Sequence, residues 1–173
     1  LMFRDLDDGV WPDGTGPTSH AIIQALLQNG FKNDPSLFGD DDSVDHLITP
    51  LESFDVIDAD SSQTLAILDV RAGRNLVIQG PPGTGKSQTI TNLIADAIGC
   101  GKSVLFVSEK LAALEVVKRR LTNLGLGDAC LELHSNKTNK RQLLGNLQET
   151  LQLGRPRMPA SADQVSILAQ FRD

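Results

Sequence analysis

The 173 residues include only two cysteines, Cys100 and Cys130. Both stand in apolar settings with no CxxC spacing. That excludes a disulfide framework or a zinc knuckle and suits reduced core thiols of a cytoplasmic protein. Aromatic residues are also sparse, at 4%. Trp11, Phe31, Phe38 and Phe54 follow no basic groove pattern, so they read as anchors of a core rather than as platforms for stacked bases. Long apolar runs are missing: nothing approaches the ~18 residues that a membrane span needs. The opening LMFRDLDDGVWPDG has neither the basic start nor the apolar block of a signal peptide. No membrane is expected among the partners.

Bases are scarce at the start of the chain. Residues 1–62 hold thirteen acids and two bases, net −11, whereas residues 63–173 hold nine acids and fourteen bases, net +5. The acidic part cannot attract a phosphate backbone, so any nucleic-acid contact is sought after Gln63. With 40% hydrophobic and 22% charged residues, the chain has enough apolar material for one compact domain with a core. It begins at Leu1 and stops at Asp173 in a helix-like pattern, which suggests a piece of a longer product.

The spacing predicts an acidic accessory segment over residues 1–57, mostly loop. Its one helix covers residues 19–29, capped by Ser19, striped by Ile22, Ile23, Leu26 and Leu27, and ended by Gly30. Residues 58–153 are more regular. Apolar runs at 76–78 (LVI), 104–107 (VLFV) and 130–133 (CLEL) alternate with helical periodicity. A first helix carries Ile90, Leu93, Ile94, Ala97 and Ile98 on one face. A second, over 109–124, buries Leu114, Val117 and Leu121 and is capped by Glu109. A third, over about 140–153, presents Leu143, Leu144, Leu147 and Leu151. This alternation predicts an α/β fold with a parallel sheet flanked by helices and ligands at the carboxyl ends of the strands. Residues 154–173 read as a linker and the start of a further helix.

Residues 80–87 read GPPGTGKS, a full match to GxxxxGK[ST] between an apolar run and an amphipathic helix. The pattern implies a P-loop. Gly80, Gly83 and Gly85 let the backbone curl with its N–H groups inward, forming an anion nest at a helix start together with Pro81, Pro82 and Thr84. Lys86 is expected to reach the β and γ phosphates, Ser87 to offer a hydroxyl to Mg²⁺, and Gln88 and Thr89 to flank the site. Hydrolysis also needs a strand that supplies Asp to the metal and Glu to water. None is legible after the loop, so the chain is expected to bind ATP or ADP without turning it over by itself.

Three stretches, IQGPPGTGKSQTITNLI, the upstream DADSSQTLAIL and VLFVSEKLAALEVVKRRL, resemble the first motor lobe of superfamily 1 helicases of the up-frameshift and senataxin type. The likeness extends to large bacterial helicase-like proteins in which a stretch similar to ELHS (132–135) follows. It implies a partial RecA-like P-loop NTPase lobe. It also implies an ATP- and Mg²⁺-dependent helicase acting on single-stranded nucleic acid, with further motor lobes supplied by the parent chain, and it suggests bacterial DNA transactions. Gln63, seventeen residues before Gly80, falls at the position of the glutamine that reads the adenine edge. An amide, with its donor and acceptor, suits that task. Ser61 or Ser62 would cap its helix. Ser108, Glu109 and Lys110 match the loop that touches the backbone of single strands, although Glu109 departs from the small polar residues usual there. Lys118, Arg119 and Arg120 read as a solvated helix face, and His134 as a structural histidine. Two alternatives stay open: an AAA-type ATPase, which shares GPPGTGK, and a nucleotide-binding regulatory module that never hydrolyses ATP.

Overall fold

The computed structural model describes residues 4, 7–31, 36–39, 43–49, 52–133 and 140–153. The chain divides into two compact units, Leu1–Leu37 and Phe38–Asp173. Among the described residues no helix is long and apolar enough to cross a membrane.

In the first unit, two 3₁₀ turns, Asp8–Val10 and Pro17–Ser19, precede a short helix α1, Ala21–Gln24, which widens into a π turn at Ala25–Asn29. Ser19 does not cap this helix. Its hydroxyl donates back to the Gly14 and Gly16 carbonyls at 2.8 and 2.7 Å, and His20 takes the cap position without a side-chain bond. The proline ahead of Ser19 fixes that earlier turn and shifts the helix start by two residues. Ile22, Leu26 and Leu27 are exposed.

The second unit contains α2 (Ser61–Arg71), α3 (Lys86–Gly99), α4 (Leu111–Asn123) and α5 (Lys140–Leu153). Helix α2 packs on α3, and α3 on α4. Ile94, Val117 and Leu121 form the buried centre, with Ile90, Ile98, Phe106, Leu126 and Cys130 packed around them. Full burial of a side chain such as Ile94, Val117 or Leu121 contributes about 1.5–3 kcal/mol. Burial also raises the Cys130 thiol pKa, against a smaller opposing effect of Lys118. Cys100, expected in the core, is exposed, because it lies just past the end of α3.

The expected parallel sheet is not present: among the described residues no segment forms a β-ladder. Runs 76–78, 104–107 and 130–133 have no regular secondary structure and make no inter-strand backbone bonds among the described residues. Val77 is 89% and Leu105 84% exposed. A strand exists only where a neighbouring backbone lies about 4.8 Å away and offers partners. Apolar patterning records which side chains favour cover, not whether two runs lie side by side. Among the described residues the architecture is therefore helical with irregular connections rather than α/β.

Two cap expectations also change. The α2 cap is Asp60, not Ser61 or Ser62, and its carboxylate accepts from Gln63 N at 2.9 Å. Helix α4 starts from Lys110, not Glu109.

Candidate functional site

The 80–87 loop leads from the irregular segment after α2 into the first turn of α3. Gly83 and Gly85 adopt φ of +90° and +76°, the left-handed region that only glycine enters freely. Gly85 caps α3, and its carbonyl accepts from Gln88 N at 2.7 Å, Thr89 N at 3.0 Å and the Thr89 hydroxyl at 3.3 Å. The Thr84 hydroxyl donates to the Pro81 carbonyl at 2.9 Å and closes the turn. A helix start carries N–H groups without intrahelical partners and a partial positive charge, a setting that favours anions. The exposed Lys86 ammonium folds back over the loop and donates to the Gly80 carbonyl and, at 2.7 Å, to that of Pro81. The Ser87 carbonyl accepts from the Thr91 hydroxyl at 2.7 Å.

Gln63 is brought to this loop from the first turn of α2. Its Nε2 donates to the Thr84 carbonyl at 3.3 Å, and its Oε1 is buried and makes no hydrogen bond among the described residues. The Ser62 hydroxyl and Gln63 N–H both donate to Asp60 and hold its carboxyl below the usual carboxylate range. Space around the loop is tight. A Cβ at Gly85 would fall 2.7 Å from both Gln63 Nε2 and Gln88 Oε1, and one at Gly80 would fall 2.5 Å from the Thr84 hydroxyl. Between loop and helix lies an open cleft of about 300 Å³, lined by Asp60, Gln63, Ile78, Gly80, Thr84 and Lys86 among others.

The 108–110 segment makes no hydrogen bond or ion pair to this loop among the described residues. The Ser108 hydroxyl accepts from Lys110 N and donates to the Lys110 carbonyl, each at 3.3 Å, while Glu109 and Lys110 are exposed. In the basic run, Lys118 is ion-paired with Glu132. His134 and Ser135 lie outside the described residues. Among the described residues there is no cluster of three His, Cys, Asp or Glu side chains able to hold a metal.

Three polar residues that sequence reasoning passed over organise the surroundings. Asn92 is fully buried. Its Oδ1 accepts from Val56 N and Ile57 N at 3.1 and 3.0 Å, and its Nδ2 donates to the Ile57 carbonyl at 2.8 Å. Asp96 is buried and ion-paired with Arg71, which it holds more firmly protonated. Asp60 supplies the cap. Thr89, Asn92 and Asp96 recur at i, i+3 and i+7, a polar stripe beside the apolar one and the signal that marked this face.

Similarity to known proteins is confined to part of the chain. An uncharacterized ATP-dependent helicase, MG140, of Mycoplasma genitalium is 46% identical over 76 residues, covering 40% of this chain and 7% of the relative. The MG140 homolog of Mycoplasma pneumoniae, also named an uncharacterized ATP-dependent helicase, is 55% identical over 47 residues, covering 27% and 4%. The chain thus matches only a small part of the length of these curated relatives. No protein-family description matches it, and no solved structure does.

Proposed function

We propose that the 80–87 loop binds the phosphates of ATP, that Gln63 reads the adenine, and that the chain is the nucleotide-binding part of an ATP-dependent helicase. On this reading the helicase is of superfamily 1 type and works on single-stranded nucleic acid, taken to be DNA. Ser108, Glu109 and Lys110 are the segment proposed to meet that strand. The observation that carries the reading is the pairing of Gln63 Nε2 with the Thr84 carbonyl, which joins base reader and phosphate loop and leaves Oε1 a buried acceptor with no hydrogen bond among the described residues. The two relatives named ATP-dependent helicases support it over the stretch they share.

The chemistry of the donor set fits. Lys86 is held by two neutral carbonyls, and its exchange onto phosphate oxygens replaces neutral acceptors with anionic ones, adding direct charge attraction to each bond. The unbonded Oε1 suits the amine on the adenine edge, while the carbonyl at the same place on guanine would set acceptor against acceptor. The Ser87 hydroxyl is the proposed ligand of Mg²⁺, which when bound neutralises charge on the β and γ phosphates. Displacement of a fluorescent ATP analogue by ATP, GTP and tripolyphosphate tests the reading. ATP and tripolyphosphate should both compete, with GTP weaker than ATP. Failure of all three would overturn it.

A further inference from the structure

We infer that Asn92 and Asp96 form a two-point clamp that positions Gln63 over the loop and thereby sets the base selectivity of the site, although neither lines the cleft. The inference rests on the adenine reading of Gln63. The one bond from Gln63 to the loop is long, 3.3 Å, and belongs to a side chain with rotamer freedom, so the amide's place depends on where α2 sits along α3. At the start of α2, Asn92 takes two N–H groups and one carbonyl of Val56 and Ile57, just ahead of the Asp60 cap. At its end, Arg71 is paired with Asp96. Both anchors stand on the helix whose first residue is Lys86. Base reader and phosphate loop are therefore registered through one rigid element.

A leucine at 92 would keep the branching of the side chain, with bulkier methyl ends in place of the amide, and hold α2 by apolar contact alone. Such contact is non-directional and tolerates sliding, whereas three directional hydrogen bonds fix both distance and angle. Asn92 is 0% exposed, so its amide has no solvent role that would account for it. Asn92 and Asp96 are thus positioning residues, acting through α2 on Gln63.

The test measures affinities of the chain for ATP, GTP and tripolyphosphate with Mg²⁺. The wild type should prefer ATP over GTP by about five- to 150-fold, the range of a well-placed amide contact. In Asn92→Leu that ratio should collapse toward unity while tripolyphosphate affinity holds. A folded Asn92→Leu protein that keeps the wild-type ratio overturns the inference, as does a parallel loss of ATP, GTP and tripolyphosphate binding. If circular dichroism shows Asn92→Leu unfolded, Asp96→Asn decides: a narrowed ratio supports the clamp and an unchanged one overturns it. A wild type with no base preference would instead bring down the Gln63 reading, and the clamp with it.

Discussion

Gln63 Nε2 donates to the Thr84 carbonyl across twenty-one residues of chain, so the side chain proposed to meet the base is tied to the loop proposed to meet the phosphates. Gln63→Ala should lower ATP affinity by roughly 1–3 kcal/mol, the worth of an amide–adenine contact, and leave CTP affinity nearly unchanged. Competition titrations decide it. An unaltered ATP affinity would reduce Gln63 to a structural residue of α2.

Asp60 caps α2 as a carboxylate held below its ordinary value of 3.8 by the Ser62 hydroxyl and Gln63 N–H. Because the folded value is depressed, the charged form stabilises the fold above the unfolded value, and that contribution is lost as pH falls through the lower folded value. Asp60→Ala should cost about 0.5–2 kcal/mol at neutral pH, as cap removals do. Asp60→Asn keeps a cap but removes the titration. Urea unfolding of wild type and Asp60→Asn should show a constant difference at neutral and mildly acidic pH that shrinks below about pH 4. A pH-independent difference would contradict this account.

Phe54 lies against Gly99, where an added Cβ would fall 2.5 Å from the ring, and the ring also faces the Arg71 guanidinium at 5.9 Å. Gly99→Ala gains up to about 1 kcal/mol in helix propensity but forces the ring away, an overpacking cost of about 1–3 kcal/mol. The net effect should be destabilising in the wild type and stabilising in a Phe54→Ala background. A double-mutant cycle by thermal unfolding reads the sign change, and equal effects in both backgrounds would refute the contact.

The chain should not turn over ATP. Ser87 is the proposed metal ligand, and no Asp–Glu pair follows the loop in the sequence. Phosphate release with and without single-stranded DNA should stay at background. Turnover near about 1 s⁻¹, the low end for assembled phosphoryl-transfer sites, that vanished with Lys86→Ala would contradict this. Glu109→Gln would then test whether Glu109 is the missing carboxylate.

Much of the helical layout was legible. Periodicity predicted a helix over about 140–153 and one over 109–124, and the structure has Lys140–Leu153 and Leu111–Asn123. Repeating apolar positions on one turn are a local property. The sheet was misread because pairing is not local: runs such as 104–107 carry strand composition but meet no partner backbone among the described residues. The loop was legible from its glycines, since φ of +90° and +76° at Gly83 and Gly85 demands that residue type. Asn92 and Asp96 share a helical stripe with Thr89 that the spacing displays, but whether such a stripe faces solvent or a neighbour is decided only by the helix packed on it. The caps were missed by one or two residues, where Asp60 and the turn at Pro17–Ser19 outcompeted the serines.

The most direct test of the central claim is isothermal titration of ATP with Mg²⁺ into the wild type and into Lys86→Ala. Lys86 Nζ, held by the Gly80 and Pro81 carbonyls, is proposed to transfer to the phosphates. Its loss should weaken binding by about 1.5–3 kcal/mol, the range for a hydrogen bond to a charged group. Circular dichroism should meanwhile report an unchanged helix content. Equal affinity for the two proteins would contradict the account.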